Sequence, residues 1–494
     1  MPDKKLNVLY ILTDDQGAWA MHCAGCRELH TPSLDRLASE GMRFDSFYCA
    51  SPVCSPARAS LMTGNIPSAH GVHDWLRSGS VDAVRFAQQG KDNPYGNYAD
   101  EREPIQYLKG QTCYTDVLSE KGYQLALSGK WHLGDSVTPQ HGFSRWFTIG
   151  KGGCFYYHPD IVENGDITLR HGEYVTDLIT DRALDFMGEM AQEEAPFYLG
   201  VHYTAPHSPW EAEQHPKRFI DMYEDCAFGD TPDVPDHPEM TVPAVYGTQN
   251  RKINLRGYYA AITAMDEGVG KLLDKLDELG LSENTLVIFN GDNGMNMGHH
   301  GIWGKGNGTF PMNMFETSVK VPFIARCPGL IPAGQVCQEP VSAYDLFPTL
   351  METLGLSSKA ALNLPGRSFL PLLKGEQAGE DREIVIFDEY GPVRMIRDRR
   401  YKYVHRYPYG PHELYDLASD PDEARNLVDE PEMAPVIVAL RGRLHAWFAR
   451  YADPLRDGLY ENVTGLGQLC SAGAYAEKLE RYARPAKVSD IKQP

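Results

Sequence analysis

The chain contains no apolar run long enough to cross a membrane, so no helical membrane span is expected in its 494 residues. Basic residues are in deficit: 47 Lys and Arg stand against 67 Asp and Glu, a formal net charge of −20. That balance argues against nucleic acid and against an anionic membrane surface as partners. Its ten cysteines follow no framework spacing, which predicts free thiols and suits a reducing compartment. Cys23 and Cys26 form an isolated C-x-x-C, and no second Cys/His pair completes a zinc set. There is no internal repeat and no low-complexity tract. No signal-peptide core precedes the first apolar run. With the starting Met this sets the expectation of a cytoplasmic protein, an already trimmed export signal being the alternative.

What is present is an alternation of strand and helix patterns, the mark of an α/β fold. Helices are predicted over Pro32–Glu40 with Thr31 as cap, Tyr114–Lys121, Val175–Met190 and Leu255–Leu279. Another spans Ser342–Leu354, divided or kinked at Pro348. A charged, Gly-containing stretch at Pro371–Asp381 reads as a linker, placing a larger domain at 1–375 and a smaller one at 376–494. In the smaller unit, Glu383–Tyr390, Val393–Ile396 and Tyr401–Tyr407 read as short strands. Pro435–Tyr451 reads as an amphipathic helix with Val436, Leu440, Leu444 and Trp447 on one stripe.

Four near-continuous apolar segments, Leu6–Leu12, Tyr123–Leu127, Phe197–Tyr203 and Leu286–Phe289, match strands covered on both faces. Each ends in residues that bind metals or anions. The first runs into Asp14-Asp15, the second into Lys130-Trp131-His132, the third into Pro206-His207-Ser208-Pro209, and the fourth into Asp292-Asn293-Gly294. Ligands of open α/β sheets bind beyond the carboxyl ends of the strands, so these ends are expected to share one site. Either acidic motif alone would read equally well as a turn. Following two buried-strand patterns, Asp14, Asp15, Asp292 and Asn293 read as hard oxygen ligands, suited to Ca²⁺ or Mg²⁺. Lys130, His132, His207 and Lys305 add fixed cations and groups that exchange protons near neutral pH.

The stretch Cys54-Ser55-Pro56-Ala57-Arg58 places a sulfur at the mouth of a predicted helix. Ser55 reads as its N-cap and Pro56 as its first residue. Cys54 thus sits where the helix end favours negative charge, with Arg58 one turn further on. Cys54-x-Pro56-x-Arg58 resembles the signature of type I sulfatases, whose Cys is oxidised after synthesis to formylglycine.

The order Asp-Asp, C-x-P-x-R, G-K-W-H, P-H-x-P, G-D-N-G and a Gly-flanked Lys is similar to that family across residues 1 to about 375. Glu413–Leu417 and Glu423–Leu427 are similar to its C-terminal subdomain. The resemblance implies an alkaline-phosphatase-like fold: a large, mixed, mostly parallel sheet sandwiched by helices, with a smaller C-terminal antiparallel-sheet α+β subdomain. It implies that Asp14, Asp15, Asp292 and Asn293, with the modified Cys54, hold Ca²⁺, or Mg²⁺ as the alternative. It also implies that Arg58 orients the formylglycine hydrate and that Lys130 and Lys305 grip sulfate oxygens. His132 would act as base and His207 would face the leaving group. Ala57, where many members carry Ser, is a departure.

The implied activity is hydrolysis of a sulfate monoester, expected to be a small carbohydrate sulfate given the net charge. The implied partner is a formylglycine-generating or sulfatase-maturating enzyme. A phosphodiesterase or phosphonate monoester hydrolase on the same scaffold, or an arylsulfatase, is the alternative. A binding protein without turnover is disfavoured because every catalytic position is filled. Substrate choice is assigned to three irregular stretches: 74–109 with Trp75, Arg77, Arg85, Tyr95, Tyr98 and Arg102; 150–160; and Arg406–His412.

Overall fold

A computed structural model of the chain describes residues 5–82, 101, 103–358, 362–377, 385–475 and 480–484. Eleven strands among them form one sheet, ordered β12-β2-β11-β8-β1-β7-β3-β4-β5-β6 with β13 also on β2. In chain order these are β1 (Asn7–Thr13), β2 (Met42–Tyr48), β3 (Gln124–Gly129), β4 (Arg145–Ile149), β5 (Asp160–Glu163), β6 (Asp166–Leu169), β7 (Phe197–His202) and β8 (Thr285–Gly291). A small pair, β9 (Asn296–Met297) and β10 (Trp303–Gly304), precedes β11 (Lys320–Arg326), β12 (Gln335–Cys337) and β13 (Val341–Ser342). The centre, β8-β1-β7-β3-β4, is parallel, while β11 runs antiparallel to both β8 and β2.

Both faces of the sheet are covered, which is why its strands read as unbroken apolar runs. In β1, Val8, Tyr10 and Leu12 enter one core, and Leu9 and Ile11 enter the other. The first core packs on α2 (Cys54–Thr63), α3 (Tyr114–Glu120) and α6 (Leu346–Thr353), and the second on α1 (Pro32–Glu40), α4 (Val175–Met190) and α5 (Asn250–Glu278). A four-stranded antiparallel sheet follows: β14 (Ile386–Tyr390), β15 (Val393–Arg397), β16 (Tyr401–Arg406) and β17 (Glu413–Asp416). Against it lies α7 (Ala434–Tyr451), burying Leu440, Leu444 and Phe448. Trp447 of the predicted stripe is only partly buried and stacks on Phe387, with centroids 4.2 Å apart.

Several local expectations are corrected. α2 begins at Cys54 after Val53, so Ser55 lies inside the first turn instead of capping it, and its hydroxyl accepts a bond from Leu76 N. Thr31 does not cap α1 through its side chain. Asp266 of α5 accepts from Ser33 N and Leu34 N instead, a tertiary substitute that local sequence does not reveal. Pro348 falls in the first turn of α6, where no backbone donor is needed, and a short 3₁₀ turn at Ala343–Asp345 precedes it. Residues 383 and 384, part of the expected linker (378–381), and Arg85, Tyr95, Tyr98 and Arg102 lie outside the described residues.

Candidate active site

The four predicted strand ends belong to neighbouring strands, β8-β1-β7-β3, and their loops meet at one edge of the sheet. Asp14 and Asp15 leave β1, and Asp292 and Asn293 leave β8. Asp292 N donates to the Thr13 carbonyl (3.0 Å), Asp292 Oδ1 accepts from Asp15 N (3.2 Å), and Asn293 Nδ2 donates to Asp15 Oδ1 (2.9 Å). All four are buried, Asp14, Asp292 and Asn293 completely.

The cations close around them. Lys130 Nζ donates to Asp14 Oδ2 at 2.5 Å, and Lys305 Nζ bonds Asp15 and also lies 2.8 Å from Cys54 Sγ. Arg58 sends Nε to Asp292 Oδ2 and Nη1 to the Lys130 carbonyl, both at 2.9 Å. Its hydrogen bonds therefore orient a carboxylate and the β3 end, and its Nη2 is buried with no hydrogen-bond partner among the described residues. His207 Nε2 stands 3.7 Å from Asp15 Oδ2, while its Nδ1–H donates to the Ser208 carbonyl.

His132 adopts φ 55° and is buried. Its Nε2 lies 3.1 Å from the Leu76 carbonyl, and a carbonyl only accepts, so Nε2 carries the proton and Nδ1 is the free lone pair. Gly152 backs this ring closely, for a Cβ there would come within 2.1 Å of Nε2. Gly129 turns the chain out of β3 at φ 117°, with its Cα against the His202 carbonyl.

The electrostatics differ from the expectation for Cys54. Burial pushes its thiol up to about 12, and Lys130 and Lys305 offset only part of that, so desolvation defeats the helix-end effect and the thiol stays protonated at pH 7. Burial likewise raises Asp292 to about 7, reinforced by Asp14 and opposed by Arg58 and Lys130. Burial would raise Asp14 too, but Lys130, with His207, Arg58 and Lys305, outweighs it and holds that carboxyl well below the usual range. Burial, helped by Lys130, pushes His132 well below its ordinary value, so the imidazole is neutral.

The donor set fits a hard divalent cation. Asp14 Oδ1 and Asn293 Oδ1 are buried with no hydrogen-bond partner among the described residues. One ligand atom each from Asp14, Asp15 and Cys54 lie within 4.8 Å of one another. Unpartnered buried oxygens are costly, and a cation would satisfy them.

Beyond Cys54, His132, His207 and Lys305 opens a cavity of about 600 Å³, walled by Trp75, Arg77, Lys151, Phe155, His158 and Asn307 among others. Two of the three stretches assigned to substrate choice thus reach it. Residues 406–412 do not line it: Arg406 bonds the Met312 carbonyl and Glu413, and Tyr409 is 93% exposed. Sequence reasoning missed Asn307 and the Leu76 carbonyl, because backbone acceptors and lone amides carry no motif. None of the ten cysteines, all of them among the described residues, forms a disulfide, and Cys26 Sγ contacts Tyr259 OH at 3.2 Å.

A mostly parallel, helix-covered sheet with acidic residues at its strand ends, and a small antiparallel sheet appended, defines an alkaline-phosphatase-like fold. The sulfatase family model matches residues 6–356, and that of the N-sulphoglucosamine sulphohydrolase C-terminal region matches 298–449. The chain belongs to the sulfatase family and is an enzyme of that class. It is similar to the ulvan-active sulfatase of Formosa agariphila, 29% identical over 474 residues covering 92% of this chain and 83% of the relative. Its fold is shared with a protein solved in complex with its substrate D-glucosamine-2-N,6-O-disulfate (TM-score 0.71, 23% identity, 91% and 98% covered). It is shared also with the phosphonate monoester hydrolase of Silicibacter pomeroyi (TM-score 0.70, 20% identity, 91% and 96% covered).

Proposed function

We propose that the enzyme hydrolyses a small or terminal carbohydrate sulfate, using formylglycine made from Cys54 and one Ca²⁺ (Mg²⁺ is the alternative) held by Asp14, Asp15, Asp292 and Asn293. One observation carries this reading. Buried acids and an amide, with one unpartnered oxygen each on Asp14 and Asn293, converge beside residue 54 and two lysines, at the floor of a cavity of sugar-binding size. The sugar substrates named for the ulvan-active relative and for the structural neighbour support the carbohydrate class.

A cation there would act as a Lewis acid on the sulfate oxygens. The hydrated aldehyde would supply what a thiol held protonated does not: one hydroxyl to attack sulfur as its bond to the sugar oxygen breaks, and a second whose deprotonation would re-form the aldehyde and release sulfate. Neutral His132, with its Nδ1 lone pair free, accepts that proton. Lys130 and Lys305 meet the charge that builds on the transferring group. His207, partly exposed on the cavity wall, faces the departing sugar oxygen. Cys54 is 2% exposed and sits in a helix, so the maturating enzyme must reach it before folding.

Mass spectrometry of the Cys54 peptide after co-expression with a maturase tests the modification, and the aldehyde or its hydrate is expected. Cys54→Ala then folds but loses essentially all turnover. Full activity from an unmodified thiol would reject the mechanism. Because the two lysines would hold a phosphoryl group as well, a phosphonate monoester belongs in the assay beside sulfated mono- and disaccharides. Faster cleavage of the phosphonate would favour the second reading.

A further inference from the structure

After α7 the chain leaves the small sheet and returns to the active-site wall. Asp453 N bonds the Ser68 carbonyl, Gly458 N bonds Ser68 Oγ, and residues 465–468 lie along residues 73–77. Both matched family regions end at or before residue 449, so this return lies beyond them.

Gln468 is its anchor, with no exposed surface. Its Oε1 accepts from His73 N (2.8 Å), and its Nε2 donates to the carbonyls of Gly71 (3.1 Å) and Cys470 (2.9 Å). Its backbone N donates to the Trp75 carbonyl and its own carbonyl accepts from Arg77 N, at 2.8 and 2.9 Å. Leu76, between those two bonds, is thereby held flat against the tail.

Leu76 faces two groups of the site. Its N–H is held by Ser55 Oγ (3.0 Å), next to the nucleophile position, and its carbonyl receives His132 Nε2–H. The neighbouring contacts fit a preformed clamp. The Gly465 carbonyl accepts from both Trp75 Nε1 and Asn307 Nδ2, each at 3.1 Å, and Gly467 N donates to Asp74 Oδ2. At Gly467, φ 109°, a Cβ would meet the Trp75 ring and Arg77 Cβ within 3.0 Å.

We infer that Gln468 is a positioning residue of the reaction. By fixing the 71–77 strap it sets the Leu76 carbonyl, and that carbonyl sets the tautomer and aim of His132. The assignment rests on the reading of His132 as base only for its effect on rate; the tautomer itself is independent of that reading. An imidazole whose Nε2–H loses its acceptor populates both tautomers, and only one leaves Nδ1 able to take a proton.

The test is a ¹⁵N-histidine spectrum of the full-length enzyme, with the His132 signals found by their loss in His132→Gln. Wild type should show one tautomer, protonated at Nε2. Gln468→Ala should show a mixture and lose between about ten- and a hundredfold in kcat. Gln468→Glu, which keeps the acceptor for His73 N but turns an oxygen toward the Gly71 and Cys470 carbonyls, should shift both readouts the same way by less. It also keeps the test decisive if the alanine variant does not fold. A merely structural glutamine would lower the melting temperature and leave the His132 signals unchanged. That result, or an unaltered kcat in both variants when His132→Gln itself loses turnover, overturns the inference. If His132→Gln keeps wild-type kcat while Gln468→Ala still mixes the tautomers, the base assignment fails and the positioning stands.

Discussion

Two buried charge clusters in this molecule are both built from carboxylates facing lysine and arginine, and they settle their electrostatics differently. At the strand ends, Asp14, Asp15 and Asp292 meet Lys130, Lys305 and Arg58, yet oxygens of Asp14 and Asn293 are left without partners and the group opens on a cavity. At the junction of the two sheets, Lys402 lies between Glu316 (3.3 Å) and Glu423 (2.7 Å), Tyr48 OH donates to Glu316 at 2.6 Å, and Glu423 accepts from Glu316 N. Arg397 and Lys320 complete that set. The second cluster joins the large sheet to the small one and is closed off; Asp388 beside it also has buried oxygens without hydrogen-bond partners, but burial raises that carboxyl well above the usual range, so it keeps its proton. In the first, three acids face three cations, but two buried oxygens stay without partners beside open volume, which is the need a divalent cation would meet. Burial of charge by itself therefore does not mark a functional site; unmet ligand atoms beside open volume do.

The comparison breaks most directly through metal removal. Chelation, or Asp292→Ala, is expected to lower turnover roughly a thousandfold, as loss of several kcal/mol of transition-state stabilisation implies. Ca²⁺ or Mg²⁺ should restore the chelated wild type but not the variant, as read by sulfate release. Normal turnover without metal would make the strand-end cluster as structural as the junction.

At the junction the effect should fall on stability. Lys402→Met leaves buried Glu423 without its cation and Glu316 with only Arg397 and Lys320, which is expected to cost about 3–5 kcal/mol. Denaturant unfolding should show this loss, while kcat of the folded fraction stays near wild type. A variant of normal stability but impaired kcat would reverse the assignment of the two clusters.

A smaller effect sharpens the junction's chemistry. Burial, with Glu316 nearby and Lys402 opposing, raises Glu423 from 4.5 to about 7. Between those values the folded state keeps a proton that the unfolded state has released, so this group's contribution to stability falls as pH rises from 4.5 to 7. Glu423→Gln lacks that term. Its melting temperature relative to wild type should therefore climb from pH 5 to pH 7 and level off above. A difference independent of pH would show that Glu423 ionises normally.

The smallest effect concerns approach to the open cluster. At −20 net charge a long polyanion is repelled, screened over about 8 Å at physiological salt, whereas a single sulfate needs only the local cations. A sulfated disaccharide should then exceed its parent polymer in kcat/KM by a few fold at low salt, the gap narrowing as salt rises. Better cleavage of the polymer at low salt would favour an endo-acting site.

Much of this was legible in the chain order. Unbroken apolar runs ending in Asp-Asp, Lys-Trp-His and Asp-Asn declared buried strands and the side of the sheet where chemistry gathers, because pleat and burial act over a few residues. Cys-x-Pro-x-Arg declared a helix mouth with sulfur at its start.

Pairing across distance was not legible. That Lys130 meets Asp14 across 116 residues, that Arg58 turns to Asp292, and that Asp266 caps α1 in place of Thr31 all depend on which strands and helices become neighbours. The protonation of Cys54 also escaped local reading. A helix end favours an anion within one turn, but the energy of removing that anion from water is set by every residue packed around it, and here it is the larger effect. The same holds for Gln468 and the Leu76 carbonyl, whose importance lies in what folding sets against them. Residue types and their spacing determined the chemistry available to this protein; only the tertiary structure decided which groups are desolvated, which are paired, and which are left with a lone pair to use.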